Sequence, residues 1–521
     1  MKHNFKSVTS LMLCSALAAN FVTSAVAKDE TSITIYSKSG VGSIQPHLYR
    51  PIIGQYYAPN YNQIPGYAMV RSIKDIDLEK GRSLFNLSDV AAYIDPTTVS
   101  FKSLTNPKGT TVLEQNFMFD LVSLNKLAER YVGKKISFEK SKSGSKPDVT
   151  IEGTLISALN GQLVVEQNNG NIVSTHANNV TFPKLPEGFF SKPTLVWDIA
   201  NNKSGKHKVE ISYQTDGITW WADYNAVYSE GRNANEGFLD IGAWVSILNK
   251  SGGSYNDTKL KLVAGDVNKV KPNYGGRYAA RKMAYAEADT VGSMAANQGF
   301  AEKSFFEFHL YTLGRKTSIP ENSTKQVELF PKATKIPVDK KLVYYGADKN
   351  IRYYGGVNNS RNYGTTSNKK VDVYLEFKNE KEKGLGIPLP KGKLRVSKLD
   401  NDDGSLEFIG EDHIDHTAKD EKILIKLGSA FDVVGERKQV DFVVNHNRKY
   451  MDETYEITLR NHKDEAVDII VKEPLYRAAN WKIYNSSTSY NKINSSNVEF
   501  PITVPKDGTR KISYMVRYTW K

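Results

Sequence analysis

Cysteine is almost absent from this chain. Of 521 residues only Cys14 is one, and it lies in a stretch that reads as a leader. Lys2 and Lys6 make a charged start, residues 11–19 form a short apolar run, and Ala25-Val26-Ala27 is a small-x-small cleavage site before the polar Lys28-Asp29-Glu30. The run is shorter than the roughly 20 apolar residues a membrane helix needs, which argues against an uncleaved anchor. Leu11-Met12-Leu13 lacks the small residue that a lipoprotein signal places beside its cysteine. Residues 1–27 are therefore expected to be a signal peptide. The chain from Lys28 onward then has no disulfide, no thiol nucleophile and no thiolate metal ligand. It must be held together by buried apolar area, and its length allows about three domains.

Other absences narrow the chemistry. No later segment is apolar enough to span a membrane as a helix. There is no G-x-S-x-G nucleophile elbow and no H-E-x-x-H helix. The nearest match to a phosphate loop, residues 386–394, has one residue too many, prolines where backbone donors are needed, and Leu394 in place of Ser or Thr. It reads as a turn between strands. Acidic residues are in deficit: the formal charge is +13, or +11 without Lys2 and Lys6. Export points away from nucleic acid and toward an anionic envelope glycan or lipid headgroups. The excess is also spread over many lysines, and dispersed charge serves solubility.

What is present is alternation. Ile33 and Ile35, Val209 with Ile211 and Tyr213, Val371 through Phe377, Tyr455 with Ile457 and Leu459, and Ile512 through Trp520 all repeat with period two, which a helix cannot do. One helical stripe, Leu121, Leu124, Leu127 and Ala128, predicts a short helix at 120–131 stopped by Gly133. Asn160-Gly161 and Asn169-Gly170 are tight-hairpin signals bounding a short strand. They make 132–185 a small five-stranded barrel of the SH3 or Sm kind. The expected fold is all-β and multidomain. It comprises an N-terminal β region at 28–131 with the short helix, the barrel, and a β-sandwich at 186–521 interrupted by a mobile insert at 269–303, rich in Ala, Gly and Met. The Tyr-, Asn- and Pro-rich stretch 54–67 is expected to be an exposed loop. In Ala243 to Leu248 both faces are apolar, which places that strand between two layers.

Several stretches together carry a family resemblance: VLEQNF at 112–117, FFSKPTLVW at 189–197, 217–224, 239–249 and LVAGDV at 262–267, then Gly410-Glu411-Asp412, His416-Thr417, 430–433 with Glu436-Arg437, and the closing Tyr518-Thr519-Trp520. Over nearly the whole chain after the leader, the sequence resembles the periplasmic bacterial family known as domain of unknown function 4139, related to the C-terminal part of the mucoidy-inhibitor group. It lacks the long coiled coil that precedes the sandwich in those relatives. The resemblance implies a fold and a compartment, and it supplies no reaction and no catalytic residues.

The densest set of chemically active groups is Glu411, Asp412, His413, Asp415 and His416. On an extended backbone Glu411, His413 and Asp415 share one face and Asp412 with His416 mostly the other. That split argues against tightly bound zinc, and no cofactor is implied. The alternatives are a metal or acid/base site, or a polar strand end whose side chains bond local backbone. Asp402-Asp403-Gly404 reads as a turn. Trp221 and Tyr224 beside Asp223 are candidates for stacking on a sugar ring, against a plain core role. Tyr274, Arg277 and Arg281 are candidates for binding a polyanion, and the paired tyrosines at 344–345 and 353–354 for binding glycan. The resulting expectation is an exported periplasmic protein that binds or scaffolds at the envelope without turnover. The alternatives are a carboxylate-dependent hydrolase of envelope polysaccharide acting near Glu411, and a surface-exposed adhesin.

Overall fold

The computed structural model describes residues 30–37, 44–50, 64–88, 90–118, 123–140, 149–184, 192–265, 267–268, 299–348, 351, 353, 355–400 and 402–521. The segments expected to be a leader (1–27), an exposed loop (54–63) and a mobile insert (269–298) lie outside them. The described chain is mostly strand, arranged in sheets of eight, five, three and thirteen strands. Among the described residues no helix is long and apolar enough to cross a membrane.

Three hydrophobic cores organise these sheets. The first lies between the eight-stranded sheet, which supplies Ile33, Ile35, Val209 and Ile211, and the front of the thirteen-stranded sheet, which supplies Trp220, Val245, Ile336 and Ile425. The N-terminal strands are not a unit of their own, contrary to the 28–131 expectation. Glu30–Ser37 pairs in parallel with Tyr255–Ala264, and Gly66–Leu78 and Ile94–Ser103 both pair with Gly205–Asp216. Gly66 and Tyr67 belong to a strand rather than to the preceding loop. The tail of the predicted insert is strand too: Phe300–Phe305 pairs with Phe308–Leu313, which pairs with Tyr255–Ala264.

The second core is small and inserted. The chain leaves the three-stranded sheet after Thr110–Met118 and returns at Thr194–Asn201, which pairs with it. Between them, five strands pair so that Val180–Thr181 lies beside Lys135–Lys140. No hydrogen bonds join Val180–Thr181 to Ile172–His176, so the sheet stays open where a barrel was expected. The helix runs Leu124–Tyr131, begins where the Ser123 hydroxyl accepts the Lys126 N–H, and buries Ala128 and Tyr131 in this core. It belongs to the insert, not to the region before it. Asn160 and Gly161 both take positive φ, as a two-residue hairpin requires. At the second turn only Gly170 does, and that loop is longer.

The third core is C-terminal, filled by Tyr344, Tyr455, Ile469, Phe500, Tyr514 and Val516 among others. Two long strands join it to the first. Ser323–Tyr345 pairs with Glu236–Asn249 along its first part and with Lys370–Lys378 along its second. Lys422–Asn445 pairs with Lys370–Lys378 and then with Tyr450–Asn461. Each of these strands ends one sandwich and begins the next.

The same construction then appears three times. Asn249, Asn379 and Asn461 are each fully buried just where a strand ends. The Asn249 amide donates to the carbonyls of Gly253, Ile319 and Pro320. Asn379 donates to Ile387 and Ala418. Asn461 donates to Glu465, Val504 and Pro505. In each case the bonds reach the turn before the next strand, and that turn holds a residue at positive φ: Asn322, Asp420 or Asp507. Buried carbonyls need donors, and one side-chain amide supplies several.

Candidate functional site

Side chains alternate across a strand, so the strands that bury Trp220, Ala222 and Val245 present Trp221, Asp223, Trp244 and Ser246 outward. The register sets Trp221 beside Ser246 and Asp223 beside Trp244. Trp244 is 41% exposed, so the expectation that both faces of this strand are covered holds only at its end. There Leu248 packs against Leu48, Ile64 and Trp221.

A polar ladder crosses five strands on this face. Gln326 donates to the Ser246 hydroxyl at 3.0 Å, and Ser246 donates to Asp223 at 2.8 Å. The Arg395 guanidinium bridges Asp223 at 3.2 Å and Glu411 at 3.4 Å, and Lys393 holds the other Glu411 oxygen at 3.0 Å. Around the ladder lies a groove of about 260 Å³ lined by Trp221, Trp244, Tyr49, Arg50, Gln326 and Arg395 among others. Tyr49 packs on Trp221 with ring centroids 5.4 Å apart. The Arg50 guanidinium lies 5.5 Å from the Tyr49 ring and has no carboxylate in ion-pair reach among the described residues. The groove therefore offers aromatic walls, a compensated polar floor and a cation, Arg50, that no carboxylate among the described residues compensates.

The predicted residues divide. Trp221 lines the groove. Tyr224 does not: it is 1% exposed and donates to the Pro390 carbonyl at 2.7 Å, and burial pushes its phenol well above the usual value. Glu411 sits on the ladder, where hydrogen bonding from Lys393, with the charges of Lys393 and Arg395, lowers its carboxyl below the ordinary value. Asp412 faces the other way. It accepts the N–H of His413 and that of Lys426, both at 2.8 Å, which ties two strands together. His413 is exposed. His416 accepts the Lys391 N–H at 3.2 Å in a niche beside Trp221. Thr417 donates to the Asp415 carbonyl. Among the described residues no three His, Cys, Asp or Glu side chains gather as a metal site would require. Asp402 and Asp403 lie in the turn closed by Gly404. Tyr344 is core, and Tyr345 lines a separate pocket. Tyr274, Arg277 and Arg281 lie outside the described residues.

Sequence reasoning missed a second polar cluster. In the C-terminal core Arg437 pairs with Glu473 at 2.8 Å and Arg477 with Glu453 at 2.6 Å, all four essentially unexposed. The Arg437 guanidinium carbon stacks 3.5 Å from the Tyr455 ring. Arg477 donates to the carbonyls of Asn358, Ser360, Arg361 and Tyr363, which fastens that loop over the core. Lone arginines and glutamates within alternating strands carry no signal that distinguishes such a cluster from surface charge.

Comparison of the chain with protein-family models, with curated proteins and with solved structures finds no match.

Proposed function

We propose that this protein is an exported, non-enzymatic binding protein of the bacterial cell envelope that holds an anionic glycan in the groove beside Trp244. The observation that carries the reading is the meeting of Trp221 and Trp244 with the Asp223–Arg395 ladder beside Arg50, which has no carboxylate partner among the described residues. Tryptophan faces stack on sugar rings, a bonded ladder presents fixed donors and acceptors to hydroxyls, and an uncompensated guanidinium takes a carboxylate or phosphate. The family resemblance to domain of unknown function 4139 and the leader support the compartment.

The hydrolase alternative has weaker support. A glycosidase needs one carboxyl kept protonated near neutral pH to act as general acid. Glu411 is held the other way by Lys393 and Arg395, and Asp223 is tied to Arg395 and Ser246.

The test is retention of the protein on purified envelope glycans at low and high salt, with fractionation to place it in periplasm or at the surface. Binding that weakens as salt rises is expected, because exposed charges act over about 8 Å at physiological ionic strength. Equal retention at both salts removes the electrostatic part. Release of reducing ends by the wild type, abolished in Glu411→Gln, replaces binding with hydrolysis.

A further inference from the structure

We propose that the C-terminal sandwich carries a second, separate carbohydrate site that takes uncharged pyranose rings. A pocket of about 530 Å³ opens there, lined by Tyr345, Tyr374, Ile351, Ile493, Asn494 and Asn497 among others. That is within the roughly 300–1,000 Å³ of small-molecule sites.

Its chemistry selects the ligand. The Tyr345 and Tyr374 side chains are hydrogen-bonded to each other, which fixes two rings in the wall. Ile351, Pro474, Ile493 and Val498 supply apolar surface. The one cation in the wall, Lys472, is neutralised by Glu499 at 2.8 Å, and the remaining carboxylate there, Asp348, is itself engaged, so the pocket does not call for an anion. Two amides remain. The Asn494 carbonyl oxygen already accepts from Ser496 N–H and from the Asn497 amide. The Asn494 NH2 group and the Asn497 side-chain oxygen Oδ1 have no partner among the described residues, which leaves a donor and an acceptor at the pocket wall. Aromatic and aliphatic faces with two open amide groups, and charged side chains that are already engaged, match the alternating C–H faces and hydroxyls of a neutral sugar.

The wall is also preformed. The turn carrying Asn494 and Asn497 is closed by Ile493 N–H to the Asn497 carbonyl at 3.0 Å. It is pinned from outside by Trp481 Nε1 to the Ser495 carbonyl at 2.6 Å and by Leu475 N–H to the Ser496 carbonyl at 2.7 Å. A ligand therefore need not order this loop, and the entropic cost of binding falls accordingly.

The pocket shares its construction with the first groove. Tyr374 stands five residues before the buried Asn379, as Trp244 stands five before Asn249. In consecutive sandwich units, the same strand position thus faces outward with an aromatic ring.

Titration calorimetry of the full chain with cellotriose and with chitotriose tests the proposal. One-to-one binding of at least one trisaccharide is expected, with a Kd on the order of 1 mM. Tyr374→Ala removes a wall and Ile493→Trp plugs the mouth from an exposed position; each is expected to weaken binding about tenfold or more, worth roughly 1.4 kcal/mol. If Tyr374→Ala fails to fold, Ile493→Trp still decides. Saturating polygalacturonate, directed at the groove, is expected to leave trisaccharide binding in place. Absence of binding by both trisaccharides, binding that survives both substitutions, or displacement by polygalacturonate overturns the second site. If polygalacturonate itself does not bind, the groove reading fails while the trisaccharide result stands.

Discussion

Two arginine–carboxylate networks in this chain are made of the same groups and placed in opposite surroundings. Arg437, Glu473, Arg477 and Glu453 are sealed under a loop whose carbonyls Arg477 binds. Asp223, Arg395 and Glu411 lie on an open sheet face that also carries two tryptophans, with the Arg395 side chain 34% exposed. Burial makes the first network a matter of folding, because a charge left without its partner there has no water to turn to. Exposure makes the second nearly neutral for folding and leaves its groups within reach of a ligand.

Breaking the buried network should have the largest effect. Arg477→Met strands Glu453 and releases four carbonyls, and is expected to cost about 3–5 kcal/mol in urea denaturation. A loss below about 1 kcal/mol would erase the distinction between the two networks. The buried asparagines come next. Asn461→Ala removes the donor for three carbonyls at the sandwich end and should cost about 1–3 kcal/mol, with Asn249→Ala similar, since the two make matching bonds.

The outer ladder should behave differently. Arg395→Gln is expected to shift stability by less than about 1 kcal/mol while reducing glycan retention. The smallest effect concerns Glu411. Its folded carboxyl lies below the ordinary 4.5, so its stabilising contribution is fully present above that value and is lost as pH falls through the lowered folded value. Acid titration of stability in Glu411→Gln should lack that component and match the wild type at neutral pH. A difference that instead appears as pH rises would reverse the assignment.

How much of this could be read from the sequence varies with sequence separation. Alternation marked the strands that bury Ile33, Val209, Ile457 and Val516, because a half-buried strand needs only its own neighbours to show period two. The hairpin at Asn160-Gly161 was equally local. The joining of Glu30–Ser37 to Tyr255–Ala264 was not, because nothing local to either strand names its partner. Ser323–Tyr345 was obscured by Pro331 and Pro337, which ordinarily argue against a continuous strand; here its pairing with Glu236–Asn249 shifts register repeatedly. Of the candidate site, Trp221 and Glu411 were singled out, but Trp244 was taken as part of a buried strand and Arg395 and Arg50 were not marked. Their meeting depends on the register of strands far apart in the chain. Tyr224, left open between sugar stacking and a core role, is core, its hydroxyl bonded to the Pro390 carbonyl ahead of the neighbouring strand Gly392–Leu399.

The central claim is that the open face, and not the buried network, meets the ligand. It is tested most directly by calorimetric titration of polygalacturonate into the wild type and into Trp244→Ala/Arg50→Ala, with thermal melts run in parallel. Loss of about tenfold or more in affinity, with the melting temperature unchanged, is the predicted result. Equal affinity in the two proteins would contradict it.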